Sequence, residues 1–153
     1  GMRLTELLTE EMIALDMAAE DWTAAVRSAG LLLCAAGAVE DRYVERMVAS
    51  VRELGAYIVV CPGVAMPHAR PSDGVLRLAA SFVRLTHPVP FAEREEADLI
   101  FAFATPNEQE HEELLLDLWA VFSDAETLGA LRMCTGAAEV RAVIGRCTAA
   151  RKE

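Results

Sequence analysis

Residues 98–105 read Asp-Leu-Ile-Phe-Ala-Phe-Ala-Thr, a run in which Leu99, Ile100, Phe101 and Phe103 follow one another with no polar interruption. Successive side chains of a strand point to opposite faces, so a strand that is apolar at every position must be covered on both. The run therefore predicts the central strand of a sheet with helices on either side. Two other β-branched runs are candidates to join it. Residues 56–61 are short and apolar. Residues 75–85 are longer and alternate imperfectly, with Arg77 and Arg84 offering polar positions. Between 85 and 98 lies Thr86-His87-Pro88-Val89-Pro90-Phe91. Its prolines exclude a helix interior, so it reads as a connection with a short edge strand.

Helical spacing fills the rest. Leu4, Leu7, Leu8, Met12, Ile13 and Leu15 recur at three and four residues and predict a helix over 4–15. A second spans 21–36, with Asp21 as N-cap and Gly37 as terminator. A third spans 40–54 and stops at Gly55. After the last strand come helices over 110–122, 125–133 and 137–148. Helices, then strands, then helices again predict one α/β domain over 2–150, a mixed β-sheet sandwiched between helices in three layers, α/β/α. Gly1 before Met2 reads as a remnant of tag removal.

Composition narrows the partners. Hydrophobic residues make up 54% of the 153, enough for a core without disulfides or metals. No run has the length of a membrane span and the N-terminus lacks a signal-peptide pattern, so a soluble cytoplasmic domain is expected. Fourteen basic against 24 acidic residues give a net charge of −10. That sign opposes nucleic-acid binding and favours a partner with a basic rim. Cys34, Cys61, Cys134 and Cys147 form no C-x-x-C pair, which removes zinc and thioredoxin-like readings.

The chemistry gathers at Pro62-Gly63-Val64-Ala65-Met66-Pro67-His68-Ala69-Arg70-Pro71. His68 sits in a Gly/Pro-rich turn directly after a strand, where a rigid scaffold presents reactive groups. It is a candidate phosphoryl acceptor, metal ligand or general base. Arg70, two residues on, can offset negative charge on a group attached to the ring. His111 opens an amphipathic helix after Thr105-Pro106-Asn107, where helix amides attract anions. Arg52 lies near the end of the third helix, either as a dipole-favoured cation or as a second positive group beside His68. A Cys61–His68 nucleophile pair lacks an orienting Asn or Asp. His87 reads as a surface-loop residue.

The segment YIVVCPGVAMPHARP resembles the active-site segment of phosphotransferase-system IIA components of the mannitol/fructose class. Its PHAR ending is most similar to the ascorbate-type branch. DWTAAV, FAFATP and the HEELLLDL helix follow in the family's order, so the resemblance covers nearly the whole chain. It implies the mannitol-type EIIA fold and a cytoplasmic phosphotransferase component. His68 would accept a phosphoryl group from phospho-HPr and pass it to a cysteine of a cognate EIIB, serving a membrane EIIC indirectly, for uptake of an ascorbate-like sugar. His111 matches the second active-site histidine, and Arg52 matches an active-site arginine sixteen residues before the acceptor. No cofactor, metal or nucleic acid is implied, and a homodimer is compatible with the family. The alternative is a regulatory EIIA-like protein, in which the phosphorylation state of His68 controls a partner instead of transport.

Overall fold

The N-terminal segment departs first from its sequence pattern. Only Leu4–Leu7 is helical, as α1, in the computed structural model, which describes residues 3–92 and 95–151. Leu8 leaves helical geometry at φ −87°, ψ 70°, a 3-10 turn covers Glu10–Met12, and Ile13–Met17 form strand β1. The cause is tertiary. Ile13 and Ala14 pair in parallel with Phe82 and Val83 of a buried strand. Such pairing outweighs a short helix, whose nucleation is costly. α1 is pinned from the other end of the chain. The Asp117 carboxylate accepts from Leu4 N at 2.9 Å, and Arg3 donates to Thr148 O at 2.8 Å.

The next two helices follow their periods. α2 (Trp22–Ala35) starts at Asp21, whose carboxylate accepts from Ala24 N at 2.9 Å. α3 (Asp41–Leu54) buries Tyr43, Val44, Met47, Val48 and Val51 along one stripe. Gly37 (φ 72°) and Gly55 (φ 59°) follow the two helices in backbone that a side chain would strain.

The strand runs are partly redrawn. Gly55–Ile58 is a 3-10 turn, so β2 is only Val59–Cys61, and a hairpin at Pro62 leads into β3 (Gly63–Ala65). β4 begins at Ala79 and runs through the proline segment to Ala92; β5 is Glu95–Ala104. The stretch expected to be a connection is thus the second half of β4. β1 stops pairing at Leu85, so beyond it β4 is an edge strand, where Pro88 and Pro90 cost no ladder bond.

The sheet order is β1-β4-β5-β3-β2, with β1–β4 and β3–β5 parallel and the other pairs antiparallel. β5 is central, as its composition requires. Two polar residues of β4 identify the layers. Ser81 Oγ donates to Ala29 O of α2 at 2.8 Å. Arg84, on the opposite face by parity, donates to Leu131 O at 3.1 Å and Cys134 O at 2.6 Å. Those carbonyls close α5 (Ala125–Met133), which packs with α4 (Glu108–Phe122) and α6 (Ala137–Arg151). Phe122 of α4 meets Phe101 edge-on at 5.3 Å on the same side. The mixed sheet therefore lies between α2/α3 and α4/α5/α6.

One consequence places the site. β3 and β5 are parallel neighbours, so the loop after Ala65 and the turn after Ala104 emerge at the same end of the sheet. In α/β folds this carboxyl end is where ligands gather.

Candidate functional site

His68 lies in the loop that leaves β3. Met66 N bonds back to Ile58 O at 2.9 Å, which fixes where the loop starts. Pro67 and the proline geometry of the segment keep it extended. The imidazole stacks on Phe103 of β5, with ring centroids 4.5 Å apart and planes 17° from parallel. Such a stack contributes about 0.5–1.5 kcal/mol and, here, sets the ring plane.

Tyr43 locks this arrangement from α3. Its hydroxyl accepts from Ala69 N at 3.0 Å and donates to Phe103 O at 2.8 Å. One buried side chain so ties the residue after His68 to the residue beneath it. Burial pushes the Tyr43 phenol up to about 12, so it stays protonated and able to donate.

The His68 ring has a defined proton. Its Nδ1 lies 3.1 Å from Met66 O, and a carbonyl only accepts, so that contact puts the hydrogen on Nδ1 and the lone pair on Nε2. Burial lowers the His68 pKa below the usual histidine value. The Met66 bond opposes this in part, and neighbouring His111 adds to it. The result is a neutral ring with one nucleophilic nitrogen.

His111 stands across a cleft of about 300 Å³ lined by both histidines, Arg70, Thr105, Asn107 and Glu108. The two imidazole centroids are 6.0 Å apart. Asn107 starts α4 by accepting from Glu110 N at 2.9 Å, which puts His111 in the first turn. Thr105 Oγ1 lies 3.2 Å from His111 Nδ1 and orients that ring. Asn107 and Glu108, at the start of α4, line the same cleft.

The expected cations separate. Arg70 lines the cleft and also an adjoining depression of about 260 Å³ that shares His68 and Ala69 with it. Arg52 lines neither. Its guanidinium carbon lies 5.6 Å from the Trp22 ring centroid, a cation–π contact on another face of α3. The arginine of α3 that does border His68 is Arg46, six residues earlier. Sequence spacing offered no reason to prefer it. Tyr43 and Phe103 were legible only as core residues, and Asp73, which pairs with Arg46 and Arg70, only as part of a turn.

Cys61 does not join the site. Cys61 lines neither depression that His68 borders, and burial pushes its thiol up, away from the reactive thiolate. Among the described residues no group of three or more His, Cys, Asp or Glu side chains gathers to hold a metal ion. No helix among them is long and apolar enough to cross a membrane.

Comparison with known proteins bears on this geometry. Residues 6–147 match the family described as "Phosphoenolpyruvate-dependent sugar phosphotransferase system, EIIA 2". The ascorbate-specific PTS system EIIA component of Escherichia coli K12 is 35% identical over 153 residues, spanning 97% of this chain and 99% of that one. A Streptococcus mutans protein assigned to the PTS IIA class superimposes with a TM-score of 0.89 at 33% identity, over 97% of this chain and 96% of that one. In the Escherichia coli complex of mannitol enzyme IIA with phosphorylated enzyme IIB, the matching chain gives 0.78 at 25% identity, over 90% and 96%. The sheet between two helical layers is the one seen in mannitol-specific IIA structures. With a family match over most of its length and a relative of similar size at 35% identity, this chain belongs to the EIIA type-2 family of the sugar phosphotransferase system.

Proposed function

We propose that this chain is the cytoplasmic phosphocarrier of a sugar phosphotransferase system, with His68 as the acceptor. It takes a phosphoryl group from the phosphohistidine of HPr and hands it to a cysteine of a cognate EIIB, which serves a membrane EIIC. The observation that carries this reading is the Nδ1 contact of His68 with Met66 O at 3.1 Å beside a cleft shared with His111. A histidine acceptor must be neutral, must keep one tautomer, and must present the other nitrogen to the donor. His68 meets all three conditions.

The transfer balances without a cofactor. The Nε2 lone pair attacks phosphorus in line, an N–P bond forms, and the donor's N–P bond breaks with its electrons returning to the donor ring. No proton need move on this chain, because Nδ1–H stays on Met66 O. Charge builds on the equatorial oxygens. The Thr105 hydroxyl can donate to His111 Nδ1, 3.2 Å away, and in that tautomer the His111 proton lies on Nε2, available to those oxygens. Arg70, on the rim of the cleft, adds positive charge.

Two relatives support the partners and cargo. The superposable mannitol IIA chain is in complex with phosphorylated IIB, which supports an EIIB here. The full-length relative at 35% identity is ascorbate-specific, which supports an ascorbate-like sugar.

The test is phosphoryl transfer in a purified system of phosphoenolpyruvate, enzyme I and HPr, read by intact mass and by mapping the modified residue. One acid-labile phosphate on His68 is expected. His68→Ala takes none, and His111→Ala still takes one but about 100-fold more slowly, as for loss of one charge-stabilising donor. A phosphate that persists in His68→Ala sinks the assignment.

A further inference from the structure

The second depression beside His68 holds an ion-pair arrangement that the proposed transfer has not yet used. Asp73 receives two guanidinium groups there. Arg46 Nε lies 3.4 Å from its Oδ1 and Arg70 Nε lies 3.7 Å from its Oδ2. Both arginines line the depression together with His68, Ser50 and one further acidic residue, Glu53. Both distances exceed the usual 2.7–3.2 Å of an N–H···O bond. The guanidinium heads are therefore loosely held, and both side chains are well exposed, at 41% and 75%. The Asp73 carboxylate is the opposite case. It is 13% exposed and firmly bonded to the Arg70 amide at 2.9 Å, which closes the 3-10 turn Pro71–Asp73. The turn does not need the arginine heads, since the backbone bond maintains it.

We propose that Arg46 is a phosphoryl-binding residue of this chain, parked with Arg70 on Asp73 until His68 is phosphorylated. This rests on His68 being the acceptor. A phosphoryl group on His68 brings about two negative charges and three acceptor oxygens to the edge of the depression. Arginine forks bind such a group in two-point fashion and more strongly than a long, solvent-screened carboxylate pair. The guanidinium groups exchange Asp73 for the phosphoryl oxygens, while Asp73 keeps its amide bond. Arg46 is well placed for this because it sits three residues after Tyr43 on α3, and Tyr43 holds the His68 loop. Arg70 is carried by the loop itself, so the two cations approach from independent elements.

The experiment uses the full chain charged by phosphoenolpyruvate, enzyme I and HPr. Two quantities are read for wild type, Arg46→Gln, Arg46→Lys and Asp73→Asn. One is the rate at which phosphate arrives on His68. The other is the difference in melting temperature between the charged and uncharged protein. Arg46→Gln should slow charging by about tenfold, less than the hundredfold loss of a buried donor because the site is open to water. It should also shrink the melting difference. A residue that only braced the turn would lower both melting temperatures equally and leave their difference intact. Arg46→Lys should restore part of the rate, as a charge without the fork. Asp73→Asn keeps an acceptor for the Arg70 amide, removes the competing charge, and should charge at least as fast as wild type. If wild type is charged on His68 and Arg46→Gln matches it in rate and melting difference, the proposal for Arg46 is overturned while the acceptor assignment stands. A wild-type chain that takes no phosphate on His68 overturns both.

Discussion

Three features of different kinds act on the His68 ring. Phe103 fixes the plane of the ring, Met66 O fixes its proton, and burial keeps it uncharged. The last has a thermodynamic consequence with a definite sign. Its folded pKa is lowered, so between that value and the unfolded value near 6.5 the unfolded chain binds more protons than the folded one. Stability from this residue is complete above about pH 6.5 and is lost as pH falls through that window. Denaturant midpoints measured from about pH 7 to pH 5 should fall more steeply for wild type than for His68→Gln, which has no proton to take up. Parallel curves would mean that the imidazole is not held neutral by the fold. At the same scale, the histidine and Arg70 were legible in the sequence because a proline–histidine turn after a strand is a local signal. Arg46 was not, since nothing local distinguishes it from the other arginines of α3.

Among the elements, α3 does the most to connect the core to the chemistry. Its apolar stripe buries Tyr43 at the foot of the loop, and the phenol hydroxyl is the bond between the His68 loop and β5. Tyr43→Phe keeps the ring and removes that bond, leaving Ala69 N and Phe103 O without this partner. A destabilisation of about 1–3 kcal/mol is expected by chemical denaturation, the usual cost of a polar group deprived of its partner. A drop in the rate of phosphate arrival should accompany it, because the His68–Phe103 stack loses its tether. An unchanged rate at reduced stability would separate the stack from the hydroxyl. The helices from 21 to 54 and from 108 onward were legible from their periods. The helix expected over 4–15 was not formed, because Ile13 and Ala14 had a buried strand to pair with.

For the molecule as a whole, the two helical layers must be registered on the sheet so that the ends of β3 and β5 and the start of α4 converge. Arg84 is a principal tie on one side. From buried β4 it reaches the last carbonyls of α5 and the carboxylate of Asp16 in β1, the latter at 3.0 Å. Arg84→Met conserves much of the apolar stem but strips those carbonyls of their donor. It should cost about 2 kcal/mol in an equilibrium unfolding experiment, from partners left unsatisfied in a buried place. Phosphate transfer to His68 should be nearly unaffected, since Arg84 pairs with Leu99, five residues along β5 from the Ala104 end where the site lies. A variant as stable as wild type would show that water replaces the guanidinium. The sequence by itself determined the central strand, most of the helices, and the segment that presents His68, because apolar period, caps and proline turns act over a few residues. The tertiary structure alone decided the parallel edge strand β1, the extension of β4 through its prolines, and which arginine of α3 borders His68. Arg46 and Arg52 are six residues apart and so about 240° apart around α3. Which of them faces His68 depends on the rotation at which that helix packs, and that is set by contacts from the rest of the chain.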